Sequence, residues 1–142
     1  MFTLYANTIA TAVMVGVIWF VQVVHYPLLA QFGSTQSVAV AEQHQQRTGY
    51  VVGLPMLIEG VSTLWLLARR PDGVAALLPW ANAVLLAVAL GSTVLVSVPL
   101  HAKMALAHND ETGRRLVLTN WPRTIAWTAR LALCGLMLAQ LS

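Results

Sequence analysis

Apolar and polar positions in this chain fall in long blocks rather than in the short alternations of a soluble fold. From Leu4 to Leu29 an apolar run is free of charge, and the first charged residue is Glu42. The pattern recurs from Tyr50 to Ala68 around one acid, Glu59, and from Ala75 to His101 without Asp, Glu, Lys or Arg. A last block, Pro122 to Leu141, contains Arg123 and Arg130. At about 1.5 Å per residue each block covers, or nearly covers, the roughly 30 Å hydrocarbon core of a bilayer. The pattern predicts an all-α integral membrane protein: one domain of 142 residues forming a four-transmembrane-helix bundle, with spans at about 4–29, 50–68, 75–101 and 122–141.

The connections differ in kind. Phe32–Gly49 is polar and glutamine-rich, with Gly33-Ser34-Thr35 as a helix start, and predicts a short amphipathic helix in loop 1–2. Ala68–Gly73 (ARRPDG) reads as a tight turn. Ala102–Thr119 continues the third helix and then turns at His108–Gly113 (HNDETG). Thr119–Thr124 (TNWPRT) reads as the start of the fourth helix, a polar cap followed by Pro122 in the first turn. No internal repeat is evident in the sequence.

Composition supports a membrane protein. The chain is 58% hydrophobic and 9% charged, where a soluble domain carries roughly 25% charged residues. Its formal charge of +3 would suggest nucleic acid in a soluble protein. Here the basic residues sit at helix ends, which points to bilayer anchoring and to no nucleic-acid partner. The first block lacks a basic leader and is too long for a signal peptide. The lone cysteine, Cys134, excludes an intrachain disulfide and a thiolate metal cluster.

Four spans place both termini and the 2–3 turn on one side, with loops 1–2 and 3–4 on the other, the loop face. Tyr26, Tyr50 and Trp121 fall at the loop face and Tyr5, Trp65 and Trp80 at the opposite one, as interfacial belts require. Arg47, Lys103, Arg114, Arg115 and Arg123 near the loop face outnumber Arg69 and Arg70. The positive-inside rule then makes the loop face cytoplasmic and the termini periplasmic in a bacterial inner (plasma) membrane.

This topology gathers isolated polar residues. His25, His101, Asn120, Trp121 and Arg123 come to one rim, with His44 and Arg47 just above helix 2. Glu59 and Arg130 each lie about 13 Å inside their helices from the same face, matched in depth for an ion pair. Asn120, Arg123, Trp127, Arg130 and Cys134 share one helical stripe, which should face the bundle interior. The result is a polar pocket open to the loop face and floored by Glu59 and Arg130. Plainer roles stand beside it. His25 and His101 suit bonding to carbonyls freed by Pro27 and Pro99, Glu59–Arg130 suits a helix clamp, and Arg123 suits a snorkelling anchor.

Three chemistries compete for this pocket. One is an oxidoreductase or oxygenase acting on a flat apolar aromatic or quinone-like molecule. In it His25 or His101 is the general base, Arg123 stabilises an oxyanion and Trp127 lines the site. The second is haem or metal binding, with His25 and His101 as ligands and Arg47 and Arg123 near the propionates. The third is a non-enzymatic accessory or lipid-binding subunit, in a homo-oligomer or larger membrane complex.

The segments Ile18–Leu29 (IWFVQVVHYPLL), His44–Arg47 (HQQR), Val98–Ala105 (VPLHAKMA) and Arg114–Arg130 (RRLVLTNWPRTIAWTAR) resemble small four-span bacterial membrane proteins of unassigned function. Those are in turn distantly similar to the anthrone-oxygenase-like family. The resemblance covers most of the chain as layout, and Asn120-Trp121-Pro122-Arg123 is its most motif-like part. It implies cofactor-independent oxygenation of a polycyclic phenolic substrate, an activity found in a few members. A second likeness is to the membrane protoporphyrinogen oxidase family, which implies haem chemistry. That family has an arginine after the helix-1 proline and a histidine further on, whereas here Leu28 follows Pro27 and His25 precedes it.

Overall fold

The computed structural model describes residues 1–29, 34–106 and 110–141. Among them every regular element is helical. Helix α1 (Phe2–Phe20) runs through a five-residue π-helical turn, Val21–His25, into α2 (Tyr26–Leu29). Helix α3 covers Ser34–Ala68. Helix α4 (Leu77–Ser92) passes through a second π-helical turn, Thr93–Ser97, into α5 (Val98–Leu106), and α6 covers Asp110–Ala139. Three stretches are long and apolar enough to cross a membrane, Phe2–Leu28, Gln46–Ala68 and Leu77–Lys103. Large apolar side chains cover the outside, with Phe2 at 85% and Leu95 at 77% exposure. The centre holds Asn7, Thr11, Glu59, Asn82, Asn120 and Arg130, all essentially inaccessible. This inverted distribution is what a hydrocarbon solvent selects.

Two sequence expectations change. The amphipathic helix of loop 1–2 is not separate, because α3 is one continuous helix of 35 residues. Between Ser34 and Tyr50 there is no proline, and Ala, Gln, Glu and Arg propagate an existing helix without a new nucleation cost. At about 52 Å, α3 exceeds the hydrocarbon thickness, so its polar N-terminal half extends past the span. Nor does the fourth helix begin at Pro122. Helix α6 begins at Asp110, and Pro122 lies within it. Near the start of α6, Glu111 pairs with Arg115 one turn on, at 2.6 Å. Thr119 is not a cap; its hydroxyl donates to the Arg115 carbonyl one turn back, at 2.6 Å. Of the turn expected at His108–Gly113, His108 and Asn109 lie outside the described residues, and Asp110–Gly113 belong to α6.

The connection between α3 and α4 is the expected tight turn. Gly73 adopts φ of +87°, a conformation that disfavours any side chain. The Arg70 guanidinium donates to the Val74 carbonyl at 2.8 Å, and the Ala75 amide donates to Gln140 Oε1 at 2.8 Å, tying the turn to the end of α6.

Helix α1 packs against α3 and α6, α4 against α6, and α5 against α3. Three apolar clusters stack along the interior: Leu4, Leu66, Val74, Cys134 and Met137 at the turn end; Met14, Ile18, Ala89, Ala126 and Trp127 in the middle; and Val21, Tyr26 and Leu116 toward the other end.

The two π-helical turns share one feature. Each ends two residues before a proline, Pro27 or Pro99. A proline inside a helix lacks an N–H and its ring presses on the carbonyl four residues back. Widening the upstream turn relieves that clash, and the Tyr26 and Val98 amides donate five residues back, to the Val21 and Thr93 carbonyls. The sequence shows no repeat, yet the two segments share this device at equal spacing.

Candidate functional site

A cavity of about 200 Å³ lies between the helices at the level of the two π-helical turns. Most of its wall is apolar: Met14, Val17, Ile18, Val21, Val52, Met56 and Val98, with Trp127 closing one side. Into this wall come Tyr26, Thr93, Ser97, His101 and Arg123.

Arg123 is the charged group of the cavity and is only 6% exposed. Its Nη1 donates to Thr93 Oγ1 at 3.3 Å and its Nη2 to the Tyr26 hydroxyl oxygen at 3.1 Å. Nη2 also donates to Asn120 Oδ1. Asn120 is held in turn, its Nδ2 donating to Gln22 Oε1 at 2.8 Å, while Gln22 Nε2 donates to the Val117 carbonyl at 3.1 Å. Among the described residues no carboxylate pairs with Arg123; the two ion pairs there are Arg115–Glu111 and Arg130–Glu59. A buried guanidinium compensated only by neutral oxygens retains a strong preference for an anion.

Tyr26 bridges Arg123 to His101, its hydroxyl lying 2.8 Å from His101 Nε2. The guanidinium has no acceptor, so the Tyr26 oxygen accepts from Arg123; in the tautomer that leaves His101 Nε2 unprotonated, the Tyr26 O–H donates to that nitrogen. The two rings meet edge to face at 5.4 Å between centroids.

Below the cavity lies a second, fully enclosed polar layer. Arg130 Nη1 pairs with Glu59 Oε1, both side chains at 0% exposure. Glu59 Oε1 also accepts from the Thr11 hydroxyl at 2.8 Å, and Oε2 accepts from the Trp127 indole N–H at 3.0 Å. Arg130 Nε donates to Asn82 Oδ1 at 3.0 Å and Nη2 to Thr63 Oγ1 at 3.3 Å. Asn7 Nδ2 donates to the Ser62 and Thr63 hydroxyls at 2.7 and 3.0 Å, and Cys134 donates its S–H to Asn7 Oδ1 at 3.3 Å. Residues of α1, α3, α4 and α6 thus satisfy one another around a single ion pair. Trp127 links the layers, with its ring in the cavity wall and its N–H on Glu59.

The candidates named from sequence are distributed as follows. His101, Arg123 and Trp127 line the cavity. Asn120 lies behind it and orients Arg123. Glu59 and Arg130 form the layer beneath. His25 does not line the cavity; with Arg47 it lines a separate groove between α1 and α3. Trp121 is 42% exposed and stacks edge-on against Trp19 at 5.9 Å, outside the cavity. His44 lies on α3, and its side chain is outside the described residues.

Tyr26 was missed because regular helical spacing assigns the inner face to His25, with Ile18 and Gln22. The π-helical turn adds one residue to the turn and rotates everything beyond it by about 100°, so Tyr26 faces inward instead. Asn7, Thr11, Ser62, Thr63 and Asn82 were missed too, although their i, i+4 and i, i+3 spacings within apolar runs carried the signal. No family model, curated protein or solved structure matches the chain.

Proposed function

We propose that this chain is a four-span membrane protein that binds a flat apolar molecule with one acidic or developing anionic oxygen, such as a phenol or hydroxyquinone, in the Arg123 cavity. The observation that carries this reading is Arg123 itself, a buried cation with no carboxylate partner among the described residues, in a mainly apolar recess. The fourth span is the C-terminal part of α6. Past Arg123 its only charge is the paired Arg130, and Ile125 and Leu136 present apolar surface at 62% and 54% exposure. The four spans form a single-domain bundle in a bacterial inner membrane. Arg47, Lys103, Arg114 and Arg115 favour a cytoplasmic loop face over Arg69 and Arg70.

The chemistry of the site is proton removal. The substrate hydroxyl sits against the Tyr26 oxygen and Arg123. Its proton passes to the Tyr26 oxygen as the Tyr26 proton moves to His101 Nε2, and the oxyanion stays on the guanidinium. The anthranol tautomer of an anthrone, ionised in this way at its hydroxyl, reacts with dioxygen to give the quinone and water, the oxygenation that the sequence resemblance implies. The haem reading is less well supported. His25 and His101 line different recesses, and His101 Nε2 is engaged by Tyr26. Among the described residues no group of three or more His, Cys, Asp or Glu side chains is gathered as a metal site.

Equilibrium binding of a hydroxynaphthoquinone to the protein in lipid nanodiscs tests the reading. Arg123→Gln removes a charge-assisted contact worth about 1.5–3 kcal/mol, so affinity should fall roughly tenfold to a hundredfold. Equal affinity in the variant contradicts it. Turnover of anthrone under oxygen, abolished in Tyr26→Phe, separates an oxygenase from a binding protein.

A further inference from the structure

Beside the Arg123 cavity lies a recess to which that function assigns no role. It is a groove of about 380 Å³ between α1 and α3, walled by Gly16, Phe20 and Val51 and carrying the basic side chains of His25 and Arg47. Val17, Val21 and Thr48 line both the groove and the cavity, so the two spaces share a wall three side chains wide. The outer flank is apolar and exposed, with Phe20 at 59% and Val51 at 57%, which turns it toward lipid. The space beside Gly16 is open, since a Cβ there would have no atom within 4 Å. Among the described residues, none that lines the groove is acidic.

We propose that this groove is a second binding site, the lateral portal through which an apolar molecule bearing an acidic oxygen leaves the bilayer. Arg47 and His25 take the acidic group first, and the molecule then passes between Val17, Val21 and Thr48 to Arg123. This inference rests on the binding role given to the Arg123 cavity. A molecule dissolved in the hydrocarbon arrives from the side, and its oxyanion is costly to desolvate unless one cation receives it from another. Arg47, exposed at the polar end of the span, is placed to meet an amphiphile whose acidic group lies at the interface.

Stopped-flow binding of a hydroxynaphthoquinone to the full chain in nanodiscs, read by tryptophan quenching, tests the portal. Gly16→Phe fills the groove and alters no residue of the cavity wall. A blocked portal slows entrance and exit alike, so both rate constants should fall by about tenfold while Kd stays within about twofold. Arg47→Gln should slow association of this acidic probe and leave that of neutral menadione unchanged. Val51→Trp, which also lines only the groove, repeats the test if Gly16→Phe does not fold. Unchanged rates in a variant that binds normally overturn the portal and leave the cavity standing. A raised Kd with unslowed dissociation also overturns it. A wild-type protein that binds no probe overturns both.

Discussion

Replacing Glu59 by Gln leaves the Arg130 guanidinium at zero exposure with its charge uncompensated. The carboxylate accepts from Thr11, Trp127 and Arg130, and the amide that replaces it presents one acceptor oxygen and an N–H₂ that opposes these donors. Breaking a buried pair from one side costs about 3–5 kcal/mol. Arg130→Gln should cost a similar amount by stranding the carboxylate. The double variant Glu59→Gln/Arg130→Gln strands no charge, and its neutral amides retain partners in Thr11, Thr63 and Asn82. It should therefore be less destabilised than either single variant. Reversible unfolding of the protein in detergent or bilayer, followed through a double-mutant cycle, measures this directly. A coupling energy of several kcal/mol is expected, well above the ~0.5 kcal/mol within which independent sites add. Strict additivity would refute the claim that this pair organises the interior.

Three further outcomes follow from the geometry. Trp127→Phe keeps an aromatic wall but removes a donor to Glu59 Oε2. It should destabilise by about 1–3 kcal/mol, and it should abolish the part of the quenching signal that reports on the cavity. Gly73→Ala forces a side chain into φ of +87° and should cost about 1 kcal/mol, seen as a lowered Tm with ligand affinity unchanged. Cysteines introduced at Gln46 and at Asp72 should be labelled from opposite sides of the membrane, because the apolar stretch of α3 between them crosses it once; labelling from one side contradicts that span.

The architecture was legible where apolar blocks are long and their interruptions few. Glu59 and Arg130 stand out in the sequence as lone charges in apolar runs at matched depth. The stripe from Asn120 to Cys134 could be read because α6 keeps regular helical spacing through it, and all five of its residues are buried. Where the helix departs from 3.6 residues per turn, the reading fails. Pro27 signalled a disturbance in helix 1 but not that the turn before it would widen, so His25 was placed where Tyr26 stands. Pro122 misled in the opposite sense. Proline after a polar cap residue reads as a helix start, whereas here the helix is already established from Asp110 and tolerates the missing N–H. Loop 1–2 shows a third kind of failure, because nothing in a polar glutamine-rich stretch distinguishes a separate short helix from an extension of the next span.

The central claim is that Arg123, Tyr26 and His101 form the polar end of a site for an acidic, apolar, flat molecule. An experimental structure of the protein in lipid with a bound hydroxynaphthoquinone tests it most directly. The account predicts the ring against Trp127 and an acidic oxygen within hydrogen-bonding distance of both the Arg123 guanidinium and the Tyr26 hydroxyl. A ligand bound elsewhere, with Arg123 still paired only to Thr93, Tyr26 and Asn120, would contradict it.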